Sequence, residues 1–149
     1  MLQEMGHKHK EHVNSFNMKV TKFLLIISFF LISGLDQKGI PIFFLLVIYF
    51  YEFIHNFFDF SHPNIFWEGG LLPILVIVTI LKLILCKAYK DKYILLLCII
   101  TLLFFTLYLS GIFFHDNIKR VISMEFLIPF LIFISSSIYL LWQNFKKEK

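Results

Sequence analysis

Charged residues are scarce in this chain: Asp, Glu, Lys and Arg make up 16% of 149 residues, where a soluble domain carries about 25%. So thin a polar covering cannot wet the surface of a water-borne domain of this size. Arginine is reduced to Arg120 alone, and the net charge of +4 is broken into short lysine runs between apolar stretches. No basic domain face of the kind that grips nucleic acid is formed.

Cysteine is nearly as rare. Cys86 and Cys98 have neither metal-ligand spacing nor the number a disulfide framework needs. They flank a lysine-rich turn and read as small apolar residues brought together in a helical hairpin, with palmitoylation of Cys86 at the membrane edge as an alternative. Glycine is also sparse, and no glycine-rich phosphate loop, H-E-x-x-H, G-x-S-x-G or C-x-x-C occurs. The chain therefore points away from an enzyme, and it specifies no cofactor. His7, His9 and His12 have chelating spacing in a segment with no fixed geometry and read as solvated.

What the chain has instead is apolar surface. Hydrophobic residues reach 58%, Phe alone contributes 20, and the mean hydropathy is +0.78. A lipid bilayer is the solvent that accepts such a composition. The expected fold is all-α, a polytopic membrane helical bundle of four to five transmembrane helices joined by short loops, forming one integral membrane domain over residues 1–149.

Five helical segments are expected, at about 20–35, 40–60, 67–87, 93–114 and 120–143, behind a polar tail over 1–22. Pro41 sits in the first turn of the second, where a missing amide proton costs nothing. Ser61-His62-Pro63-Asn64 closes that run, and Gly69-Gly70 precedes the third. The loops are short, so neighbouring helices are expected to be antiparallel. The first run, 23–35, reaches only about 20 Å, short of the ~30 Å hydrocarbon core. It reads as a span extended back through Val20 with Lys19 and Lys22 snorkelling, as a re-entrant piece, or as a signal-peptide core.

Lysine placement sets the expected orientation. Lys87, Lys90 and Lys92 in one turn and Lys146, Lys147 and Lys149 at the C-terminus are separated by two runs and fall on one, cytoplasmic, side. The lysine-free 59–70 segment and residues 115–120 fall opposite. The N-terminal lysines resist this scheme, because a full first crossing followed by a second would put Lys8, Lys10, Lys19 and Lys22 outside.

Polar residues gather in stripes on helical wheels. Tyr49, Glu52, His55, Asn56 and Asp59 share about 120° of arc, which makes them the candidate intramembrane polar site. Cys98, Thr101, Tyr108 and His115 form a second stripe, and Glu125, Ser136, Tyr139 and Gln143 a third. Such faces are expected to turn inward, since an unpaired charge at bilayer depth is costly. His62, Glu68, His115, Asp116 and Glu125 make a candidate outer-face cluster, with plain loop polarity as the competing reading. Ser135-Ser136-Ser137 offers small surfaces for close helix approach.

Two functions follow from this inventory. One is a non-enzymatic accessory subunit or self-associating channel or pore component. The other is a small proton- or metal-coupled transporter using Glu52 with nearby His and carboxylate groups. An intramembrane hydrolase or lipid-modifying enzyme is a third class, supported only by proximity of acids. The bilayer is the expected partner, with a homo-oligomer or larger membrane complex around the bundle and no nucleic acid.

Overall fold

A computed structural model describes residues 2–35, 39–58, 67–86, 91–112, 121 and 123–146, with side chains from residue 17 onward. All regular structure among them is helical: α1 (Leu2–Leu31), α2 (Ile42–Phe58), α3 (Trp67–Leu85), α4 (Lys92–Leu109) and α5 (Met124–Lys146). The first helix starts well upstream of the apolar run and carries the polar lead-in as continuous helix. α3, α4 and α5 are long and apolar enough to cross a membrane, whereas α2, at 17 residues, is shorter.

Four helices form an up-and-down ring. α1 lies against α5 with Phe29 and Phe133 rings 6.2 Å apart, and Gly39, just past α1, faces the Glu125 carboxylate at the start of α5. α4 begins where α5 ends, the Lys92 ammonium sitting 5.8 Å from the Phe145 ring. α3 and α4 are also antiparallel, since the Tyr108 hydroxyl near the end of α4 donates to Glu68 Oε2 at the start of α3 (3.5 Å). Ser136 and Ser137 of α5 are buried, as is Ser28 of α1, and these small side chains permit close approach.

One end of the ring is closed by α1 and α3. Lys22 Nζ donates to the carbonyl oxygens of Cys86 (2.7 Å) and Ile84 (3.4 Å). The final carbonyls of a helix have no partner of their own and carry partial negative charge, so an ammonium group there both satisfies and stabilises them. Lys22 thus caps the neighbouring helix as well as marking the edge of its own apolar run.

The opposite end is held by the backbone. The chain leaving α1 doubles back: Gly34 N–H donates to Ile40 O (2.8 Å), Ile42 N–H to Ile32 O (2.9 Å), and Ser33 and Pro41 form an antiparallel bridge. Gly39 at φ +57° supplies the left-handed residue of this reversal. Leu35 N–H then donates to Ser110 O (2.8 Å), tying α1 to the last turn of α4.

α2 packs on α3 more extensively than on any other helix. It starts beside Ile32, near Leu35 and Ser110. Eleven residues later Phe53 packs on Gly70 and Trp67 at the start of α3, next to Glu68 and Tyr108. Both contacts lie at the same end of the ring, so α2 does not travel its length. A β-carbon at Gly70 would fall 2.8 Å from the Phe53 ring, a distance no real pair adopts.

Two substitutions test these joints. Replacing Lys22 with Met should lower stability by about 1–2 kcal/mol, read as a lower midpoint of thermal unfolding in detergent, with Arg at the same position retaining most of it. Gly70→Ala should cost about 1–3 kcal/mol through overpacking, and Phe53→Leu in the same chain should recover part of the loss.

Candidate functional site

The ring encloses an apolar interior. Leu25, Phe29, Ile32, Val76, Leu83, Leu102, Phe133 and Leu140 are essentially fully buried. The buried polar side chains there answer to their own helices: Ser28 Oγ donates to Leu25 O, Thr106 Oγ1 to Leu102 O, Ser137 Oγ to Phe133 O and Asn144 Nδ2 to Leu140 O. Such back-bonding satisfies the hydroxyl proton within the helix itself. Among the described residues no buried side-chain nitrogen or oxygen lacks a partner.

The ionisable residues lie outside this core. On α2, Tyr49 and Asn56 are half-buried with the packed edge of the helix, while Glu52 and His55 are exposed. The expected stripe is therefore split along its length, and its charged members turn away from the bundle. The apolar ridge Ile42, Leu46 and Phe53 takes the packed side instead, because burying those side chains is favourable and burying an acid is not. His55 stacks loosely on Tyr51 (6.2 Å), and Tyr51, Ile54, His55 and Phe58 line an open recess of about 440 Å³.

The outer-face residues come together only in part. Glu68 and Glu125 are both exposed at the same end, Glu68 with Tyr108 and Glu125 beside Gly39. Asp59, His62, His115 and Asp116 lie outside the described residues. Among the described residues, no three His, Cys, Asp or Glu side chains converge as a metal site would require.

In the other stripes, Cys98 and Ser136 face the core, Thr101 bonds its own turn at Leu97 O, and Gln143 Nε2 donates to the Tyr139 hydroxyl at 2.8 Å. Cys86 and Cys98 lie close enough to interact, as neighbours in a hairpin would. Burial pushes the Cys86 thiol up, against the opposing pull of the Lys22 ammonium. It stays protonated at neutral pH, so it is no activated nucleophile.

The residues that sequence reasoning passed over are structural. Lys22 as a cap on α3 and Gly70 as the seat of Phe53 both depend on helix pairs. Only the Gly69-Gly70 doublet beside Trp67 hinted at a close approach.

Comparison with known proteins finds no family model, no curated protein and no solved structure that matches the chain. Its chemistry is therefore read from the geometry alone.

Since Glu52 and His55 project from the fold, Glu52→Gln and His55→Ala should each change stability by no more than about 0.5 kcal/mol, measured by thermal unfolding in detergent. Thr106→Val, which removes a fully buried hydroxyl already satisfied within its own turn, should likewise be tolerated, at a cost below about 1.5 kcal/mol.

Proposed function

We propose that this protein is a multi-pass integral membrane component whose α1, α3, α4 and α5 cross the bilayer. Both termini and the 87–92 turn lie on the cytoplasmic side. Its work is non-enzymatic: it associates with a partner membrane protein or with copies of itself, as an accessory subunit or the unit of a larger pore.

The charge distribution supports the crossings. Among the described side chains, Lys19, Lys22, Lys82, Lys92 and Lys146 all belong to the end that holds Cys86 and Phe145, and no Lys or Arg belongs to the other. Glu52, Glu68 and Glu125 belong to the opposite end. Such a division follows the rule that basic residues stay cytoplasmic. It also removes the conflict at the N-terminus, because α2 returns the chain to the side where α1 ended, and four crossings bring all the terminal lysines to one face.

The observation that carries the functional reading is the interior. It is packed with Phe and Leu, its polar groups are spent on their own helices, and the acids that a carrier would use are on the outside. Among the described residues the buried interior holds no charged side chain, which favours activity at outward surfaces. A proton- or metal-coupled carrier would need Glu52 at depth and facing a cavity.

Purification in mild detergent followed by mass measurement, together with proton flux in vesicles, tests this. We expect a defined homo- or hetero-oligomer with fixed stoichiometry, and flux through the isolated protomer no greater than through empty vesicles. A monomer that conducts protons and loses the flux in Glu52→Gln would overturn the reading in favour of a carrier.

A further inference from the structure

α2 has an exposed arc that water does not suit. Phe44, Val47, Tyr51, Ile54 and Phe58 are each between 40% and 72% exposed. The axial distance from Ile42 to Phe53 is about 16 Å, yet Ile42 is hydrogen-bonded to Ile32 and Phe53 sits on Trp67 and Gly70 at the same end of the ring. α2 therefore runs across the bundle axis. The geometry points to a lipid-interface helix: α2 lies in the plane of the membrane, its exposed arc seated at the boundary between headgroups and acyl chains of the outer leaflet. The inference rests on the crossing of α1, α3, α4 and α5 proposed above.

Three observations select lipid as the occupant of this surface. Tyr51 of α2 and Trp67, the first residue of α3, are both exposed beside the six Phe residues of α2. Tyr and Trp concentrate where bilayer meets water, because their rings are apolar and their edges polar. The arc is also continuous, through the Phe53–Trp67 contact, with the exposed apolar flank of α3 at Leu71, Ile74 and Leu75, which on a crossing helix faces hydrocarbon. Finally, Glu52 and His55 are exposed among these aromatics. A charge at the bilayer centre is costly, while at the interface it reaches water as its apolar neighbours stay in lipid. A second copy packed on the same arc would have to bury both groups.

Depth measurements by spin labelling test the inference in full-length protein reconstituted into phosphatidylcholine and phosphatidylglycerol vesicles. Labels are placed one at a time by Phe44→Cys, Tyr51→Cys, Ile54→Cys and Phe58→Cys in a background carrying Cys86→Ser and Cys98→Ala. Matching labels on α3, by Ile74→Cys, Val78→Cys and Leu81→Cys, report the crossing independently. Collisions with oxygen and with a water-soluble nickel chelate should place all four α2 labels at one shallow depth, about 5–10 Å below the headgroups, while the α3 labels pass through a maximum.

A depth along α2 that changes by about 1.5 Å per residue would make it a span, full access to nickel would put it in water, and shielding from both reagents would mean a protein partner. Each result overturns the inference. A flat profile on α3 would overturn the crossing itself and this inference with it. Brominated lipids give a second reading in Trp142→Phe protein: Trp67 should be quenched more by bromine near the glycerol than near the chain end, and the reverse order would contradict an interfacial seat.

Discussion

An ammonium group cannot rest in hydrocarbon without a partner or a route to water, and this constraint orders the whole molecule. Among the described side chains, Lys19, Lys22, Lys82, Lys92 and Lys146 all belong to one end of the four-helix ring. Lys22, the deepest of those with a described contact there, binds the free carbonyls of α3. The lysine that borders the first apolar run is thereby turned into a joint between two helices. The length of α1 inside the ring is fixed by that joint at one end and by the Leu35–Ser110 backbone bond at the other.

From this follows the role of α2. A chain whose first and third helices both run the length of the ring, in opposite directions, must spend its second helix without changing ends. The doubled-back backbone between Ser33 and Pro41 and the close seat of Phe53 on Gly70 do this with short-range contacts. Neither contact needs a charged group. The acids and imidazoles of α2 are left outside the packing, where they neither strain the core nor build a cavity within it.

Much of this architecture was legible in the sequence. The five apolar runs and their breaks correspond to the helices to within a few residues at most ends, because lipid-depth sequence leaves few ways to satisfy a backbone. Lysine placement marked the turn after α3 and the C-terminus as one face. The crossing elements were harder to separate. The run at 40–60 is long enough by its sequence to span, while 23–35 looks too short, so sequence favours α2 and doubts α1. Tertiary contacts reverse the emphasis: Phe29 on Phe133 sets α1 along α5, and Phe53 on Trp67 holds α2 at one end. The stripe of Tyr49, Glu52, His55 and Asn56 was real as a wheel pattern, but its arc straddles the packed edge, and a wheel cannot say which half faces inward.

The central claim is that an even number of crossings leaves both termini on the basic side. Its most direct test is the sidedness of single cysteines at positions 10 and 147 in sealed, right-side-out vesicles, probed with a membrane-impermeant maleimide before and after lysis. The account predicts that both are protected until the membrane is opened. Labelling of position 10 in intact vesicles while position 147 stays protected would contradict it and return α2 to a full crossing.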